Sequence, residues 1–325
     1  MRVLMMGTGP FALPTLRALI ASRHEVAALV TQPRRPSRGR RKAVESPVRA
    51  LAEQQNLPIF DPPNINTPES RETLSRYDAE LFVVADYGQI LRAETLGVAP
   101  RGAINLHASL LPRYRGAAPV NWALYHGEAE TGVTVFQLTP QVDAGPIFVQ
   151  QTVAIEPGER AGQLETRLAE IGAPRVVETV DAIEAGRAKP LAQPAAQASR
   201  APRLKKHDGE VDWSRPAHCI VDQIRAMDPW PGTFTFWHRQ QAPPLRLGLH
   251  RASVVSGEAA SAPGTILQAE GDRLVVATGE QALLLESVQP SGKRRLGVAE
   301  FLRGYPLRPG QRLGPEVGGQ AAAST

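Results

Sequence analysis

At 325 residues, with a net charge of +5 and Cys219 as its one cysteine, the chain is long enough for two domains and has no means of building a disulfide framework or a cysteine-rich zinc site. No apolar run approaches the length of a membrane span, and the apolar stretch within Met1–Gly7 is too short for a signal peptide, so a cytoplasmic protein with no membrane partner is expected. The basic excess is uneven: residues 200–325 hold 16 Lys and Arg against 12 Asp and Glu, the rest 21 against 20, which directs any polyanionic partner toward the last third.

Val3 to Met6 reads as a short strand that breaks into Gly7-Thr8-Gly9-Pro10-Phe11-Ala12. Phe11, Leu13, Leu16, Leu19 and Ile20 then recur at helical spacing, and Glu25 to Val30 is the next strand. The glycine turn nearly matches a dinucleotide fingerprint. The ribose-binding acid that such a site needs after the second strand is absent, because Val30-Thr31-Gln32 stands there, so the glycines are read as a tight turn in a doubly wound sheet. Six basic residues follow between Arg34 and Lys42 with no acid among them, interrupted by Pro36 and Gly39. Such a loop is either a solvated linker or a phosphate contact.

Helices are expected over Pro47–Asn56 and Pro68–Arg76, with a strand at Pro58–Phe60 between them. Glu80 to Ala85 is a nearly continuous apolar run, the pattern of a parallel strand covered on both faces. Asp86-Tyr87-Gly88-Gln89-Ile90-Leu91 follows it. Another buried strand runs into Asn105-Leu106-His107, and the chain then breaks at Ser109-Leu110-Leu111-Pro112. Asn105 and His107 stand two apart, so an amide and an imidazole lie on one side of the strand, an arrangement suited to a developing oxyanion. A strand over 131–138 leads to Asp143-Ala144-Gly145-Pro146, whose carboxylate could orient His107 and take up protons. Singly, Asp143 is ordinary turn chemistry and His107 an ordinary core histidine. Together they are more specific.

Ala118–Gly127 reads as a helix, and Leu164–Ile183 as a long amphipathic helix or a helix pair interrupted near Gly172 and Pro174. Residues 189–204 are rich in Ala, Pro, Gln and Ser and read as a linker between a domain over 1–188 and another over 205–313. The second should open with a helix from Arg215 to Met227 and continue in short strands at 233–238, 245–250, 264–268, 273–278 and 282–288, the spacing of a small β-barrel. A basic barrel is either a nucleic-acid module or a scaffold. Residues 314–325 read as a disordered tail.

The pattern Asn105-x-His107-x-Ser109-x-x-Pro112, with Asp143 after it, resembles the folate-dependent formyltransferases. The longer run from Leu110 to Pro119 is similar to the methionyl-tRNA formyltransferase branch, and Asp228-Pro229-Trp230-Pro231-Gly232 and Gln289-Pro290-Ser291-Gly292-Lys293-Arg294-Arg295 resemble that branch's carboxyl-terminal domain. The resemblance implies an α/β, Rossmann-like catalytic domain with a mostly parallel sheet, followed by an OB-like barrel. It implies 10-formyltetrahydrofolate as formyl donor, initiator methionyl-tRNA as acceptor, no metal, and a monomer. Asn105, His107 and Asp143 would be catalytic. Tyr87, Gly88, Gln89, Ile90 and Leu91 would hold the folate, with Ser109, Leu110, Leu111 and Pro112 as a second wall. Arg38, Arg40, Arg41, Lys42, Lys206, Lys293, Arg294 and Arg295 would meet the tRNA. Asp86 departs from the small residue usual in the family, and no role is assigned to it.

Overall fold

The computed structural model describes residues 1–34, 46–239, 242–256 and 261–316. Two compact units emerge, one of Met1–Val120, Ala129–Ile155 and Gln163–Pro202, the other of Asn121–Glu128, Glu156–Gly162 and the chain from Arg203.

The first unit alternates strand and helix: β1 (Arg2–Met6), α1 (Ala12–Ala21), β2 (Glu25–Val30), α2 (Pro47–Gln54), β3 (Ile59–Phe60), α3 (Pro68–Ser75), β4 (Leu81–Val84), α4 (Ala93–Leu96) and β5 (Ala103–His107). Proline opens α2 and α3, where its missing N–H costs nothing, and the Thr67 hydroxyl caps α3 by accepting from the Ser70 N–H at 3.2 Å. After β6 (Arg115–Gly116) and α5 (Pro119–Tyr125), the hairpin β7 (Glu130–Gln137) and β8 (Ile147–Ala154) completes a seven-stranded sheet in the order β3-β2-β1-β4-β5-β7-β8. It is parallel through β5, and β7 and β8 are antiparallel additions. All four residues of β4 are buried, as its apolar run requires.

Helix α6 (Ala161–Glu184) is one helix of 24 residues that runs through Pro174, not the interrupted pair the sequence also allowed. Gly172 lets it lie on β5, for a Cβ there would stand 2.7 Å from the Leu106 side chain. Leu106 thus points at α6, and its neighbours Asn105 and His107 point away from it, to the other face of the sheet.

Most of the expected linker belongs to the first unit, lying largely exposed on it and tied down by main-chain bonds. Leu191 bridges Ile147, and β9 (Arg200–Ala201) pairs with β6 through Arg115↔Arg200 and Gly116↔Ala201. Gly116, at φ +127°, sits where a Cβ would meet the Ala201 carbonyl oxygen at 2.4 Å. Only glycine lets this strap come so close.

The second unit holds α7 (Ala217–Ala226), β10 (Thr233–Arg239), β11 (Ala242–Val255), β12 (Ile266–Glu270), β13 (Arg273–Ala277), β14 (Ala282–Pro290), β15 (Leu296–Gly297), α8 (Val298–Gly304) and β16 (Leu313–Gly314). Its antiparallel sheet runs β12-β13-β14-β11-β10-β16, with β15 on β14. β11 pairs with β10 over its first part and β14 over its second, with register shifts between Leu249 and Ala252 that bend it. Bonds from Leu313 N–H to the Gly264 carbonyl and from Ile266 N–H to the Gln311 carbonyl, both 2.8 Å, join the two outer edges and curl the sheet toward a barrel. Trp213, Ile220, Trp237, Leu247, Leu285 and Phe301 fill it. Gly314, placed by the sequence reading in a disordered tail, belongs to β16, and the tail beyond Glu316 lies outside the described residues.

Candidate active site

The carboxyl ends of β1, β4 and β5 lie side by side, and they and the loops leaving them carry Asn105, His107 and the expected folate walls, while Asp143 comes from the connection between β7 and β8. Tight main-chain pairing fixes the first loop: the Gly7 N–H donates to the Val30 carbonyl at 2.9 Å, and the Thr8 and Gly9 N–H groups to the Asp86 carbonyl at 2.9 and 3.3 Å. These donors are spent within the fold. A pyrophosphate would find none of them.

At the end of β5, His107 is 6 % exposed. Its Nε2 lies 2.9 Å from the Tyr114 carbonyl oxygen, which can only accept, so Nε2 carries a hydrogen and the neutral ring has its lone pair on Nδ1. Nδ1 is 3.9 Å from Asp143 Oδ2, too far for a hydrogen bond and close enough for charge to act. Phe136 packs its ring edge to face with the imidazole at 6.3 Å. Asp143 Oδ2 accepts from the Gly116 N–H at 2.8 Å. The Asn105 Oδ1 atom is buried and has no partner among the described residues. Such an atom calls for a ligand group or a reversed amide.

Three non-glycine residues around this point have left-handed backbones: Asp86 (φ 45°), Tyr114 (φ 61°) and Asp143 (φ 50°). Aspartate tolerates that region, whereas tyrosine does so at a cost, so Tyr114 is held by its surroundings. Its N–H donates to Ser199 Oγ at 2.9 Å and its carbonyl receives His107.

The expected folate walls divide by role. The Tyr87 ring is buried in the core, and its carbonyl accepts from Thr8 Oγ1 at 3.0 Å and Gln32 Nε2 at 3.2 Å. Gln89 braces the loop through the Ile65 N–H at 2.9 Å and the Pro62 carbonyl at 3.2 Å, and Leu91 is buried. Ile90 is 68 % exposed, and the N–H groups of Gly88, Gln89 and Ile90 meet no partner among the described residues. On the other wall Ser109, Leu111 and Pro112 are buried. Ser109 Oγ donates to the Arg113 carbonyl at 2.7 Å, while Thr134 and Gln150 hold Leu111 through its N–H at 3.1 Å and its carbonyl at 2.8 Å. Leu110 is the partly exposed member, lying over Gly132. Sequence reading missed Tyr114, Thr134, Gln150, Gln193 and Ser199, which act through main-chain contacts that no motif spacing announces.

Asp86 places its carboxylate against Gly9. Loss of hydration pushes its pKa up to about 6, although the residue as a whole remains accessible. Glu165 on α6 is also raised, first by desolvation and then by the Asp86 charge. Elsewhere in the first unit, His24, Asp181 and Glu184 gather metal-type ligand atoms, yet Arg23 already pairs both carboxylates at 2.7 and 2.5 Å.

Of the expected tRNA contacts, Arg38, Arg40, Arg41 and Lys42 lie outside the described residues. Lys206, Lys293, Arg294 and Arg295 are exposed on the second unit. Arg294 pairs with Glu300, and Arg295 lies 3.6 Å from Asp228, which Arg160 also meets at 3.1 Å. Lys206 and Lys293 form no ion pair with a described residue.

Family models match along both halves: formyl transferase over residues 1–180, and formyl transferase, C-terminal domain, over 203–306. A methionyl-tRNA formyltransferase of Geobacter sulfurreducens is 42 % identical over 314 residues, 97 % of each chain. That of Moorella thermoacetica is also 42 % identical, over 97 % of this chain and 99 % of its own. Among solved structures, a sugar 3N-formyl transferase, WlaRD, aligns with TM-score 0.64 and 15 % identity over 90 % of this chain and 99 % of its own. HypX from Aquifex aeolicus, in complex with tetrahydrofolic acid, aligns with TM-score 0.61 and 17 % identity over 93 % of this chain and 47 % of its own. At such identities the structural likeness speaks for the fold alone.

Proposed function

The chain belongs to the formyl transferase family, and we propose that it moves the formyl group of 10-formyltetrahydrofolate onto the free amine of methionine carried by initiator methionyl-tRNA, giving the N-formylated initiator. What carries this reading is identity of 42 % along nearly the whole of chains named for that reaction, barrel included. The residues at the sheet's carboxyl end suit the donor: unpaired N–H groups from Gly88 to Ile90, an accessible Ile90 side chain, and the unpartnered amide of Asn105.

The donor supplies an electrophilic formyl carbon, and the reaction needs a proton acceptor for the attacking amine and hydrogen-bond donors for the oxygen that becomes negative. Because Nε2 of His107 is committed to Tyr114, Nδ1 is the ring nitrogen that works. It takes the proton from the amine as the new carbon–nitrogen bond forms, and the resulting imidazolium N–H donates to the oxyanion with the Asn105 amide as second donor. Asp143, 3.9 Å away, stabilises that positive charge. As the donor's carbon–nitrogen bond breaks, the same proton passes to the departing nitrogen and His107 returns to neutral. The exposed cations of the second unit, Lys206 and Lys293 foremost, would supply tRNA affinity, joined by the basic loop around Arg38.

We read the enzyme as a cytoplasmic monomer. No described helix is long and apolar enough to cross a membrane. The test of the main reading is turnover of 10-formyltetrahydrofolate alone and then with charged initiator tRNA. Formyl transfer that requires the charged tRNA is expected; equal turnover without it, or transfer to a free small amine only, would overturn the reading.

A further inference from the structure

The strap between Leu191 and Ala201 touches both partners of His107. Gln193 joins Arg115 to the turn at Asp143 through the two ends of its amide. Its Oε1 accepts from Arg115 Nε at 3.1 Å and Nη2 at 2.6 Å, while its Nε2 donates to the Asp143 carbonyl at 2.9 Å and the Gly145 carbonyl at 2.7 Å. The orientation is not open to reversal. Reversed, the amide would set N–H against guanidinium and oxygen against two carbonyls. Both amide hydrogens are thereby used. Six residues along, Ser199 accepts from the Tyr114 N–H at 2.9 Å and donates its own N–H to the Pro112 carbonyl at 3.3 Å.

We propose that Gln193 is a positioning residue for the reaction, fixing the left-handed turn at Asp143 so that the carboxylate faces His107 Nδ1. Resting on the reading of Asp143 given above, it adds a residue that touches no reacting atom. Asp143 needs such a hold because its main chain is at φ 50° and its side chain has one fixed partner among the described residues, the Gly116 N–H. That partner lies on the same short ladder, β6 with β9, that anchors the strap and carries Arg115. Side chain and main chain of Asp143 are therefore referred to one frame. Releasing Gln193 frees the turn to relax toward a right-handed backbone and swings the carboxylate away from the imidazole.

The test uses the full chain with Gln193→Ala, Gln193→Glu and Asp143→Asn, alone and combined. Gln193→Glu keeps acceptors for Arg115 and loses both donors to the turn, so it separates the Arg115 contact from the hold on Asp143. We expect kcat to fall about tenfold to thirtyfold in both Gln193 variants, with KM for donor and tRNA within about threefold and thermal unfolding near that of the parent. In the Asp143→Asn background, Gln193→Ala should cost less than about threefold more. A Gln193→Glu variant with parental kcat would overturn the proposal, as would losses that multiply fully in the double variant or appear only in KM. If Asp143→Asn itself keeps near-normal kcat, the failure lies in the reading of Asp143, and the two outcomes are told apart.

Discussion

The two units spend their charged and polar side chains in opposite ways. Around β5 of the first unit, His107, Ser109, Thr134 and Gln193 are each held by bonds to named main-chain atoms, so geometry there is set to fractions of an ångström. On the second unit, Lys206, Lys293 and Arg295 reach into solvent or share loose pairings. A site that must align a lone pair needs the first arrangement. A surface that meets a flexible polyanion needs only the second, because phosphate contacts act through charge and counterion release and tolerate imprecision.

The comparison is broken most directly at the first unit. His107→Asn and Asp143→Asn should each lower kcat by roughly a hundredfold or more, and the double variant should fall far short of the product, because imidazole and carboxylate act as one device. Steady-state rates of the four proteins check this. Near-parental kcat in either single variant would end the assignment. The second unit should behave differently: Lys293→Ala is expected to weaken tRNA binding a few-fold, leave donor binding and kcat at saturation unchanged, and make the log–log salt dependence shallower by roughly 0.7 to 0.9. Arg38→Ala in the basic loop should likewise slow the reaction at limiting tRNA with donor affinity intact; an unchanged rate would return that loop to a solvated linker.

The smallest effect concerns Asp86. Its carboxyl pKa is raised from 3.8 to about 6 in the folded chain, so between those values the folded state keeps a proton the unfolded state has lost, and stability falls as pH rises through the window. Asp86→Asn removes that dependence. The variant's melting temperature should match the parent's near the acid end of the window and exceed it above about pH 6, with a modest gap because the residue is solvent-accessible. A constant difference across the range would mean the burial cost is misplaced.

Much of the first unit was legible from period and punctuation. The strands from Val3, Glu25, Glu80 and Ala103 announced themselves as apolar runs, and Pro47 and Pro68 marked helix starts that the structure shares. Legibility failed where a segment's form depends on what it touches. β8 alternates poorly because all but one of its residues are half- or fully exposed at the sheet edge, and it was passed over. Helix α6 was left open as a pair because Pro174 is a breaker in isolation, and packing overrides it. Helix α8 is short and follows a basic turn that drew attention to charge. In the site, Asn105, His107 and Asp143 were visible through spacing, whereas the commitment of Nε2 to Tyr114 was not. It follows from a left-handed Tyr114 that no side-chain pattern encodes.

The strap has the composition of a flexible spacer, Ala and Pro at most positions, and is nevertheless pinned at both ends and through Gln193. Small residues and prolines have the least to lose on being fixed: alanine surrenders no rotamers, and Pro190, Pro194 and Pro202 enter the unfolded chain with one dihedral already set. A strap of lysines and glutamines along the same path would forfeit up to about 2 kcal/mol of side-chain entropy at every position so immobilised. The sequence that looks loosest along this chain is one whose ordering costs little, and a change in its length between Leu191 and Ala201 would disturb the Gln193 hold on the Asp143 main-chain carbonyl.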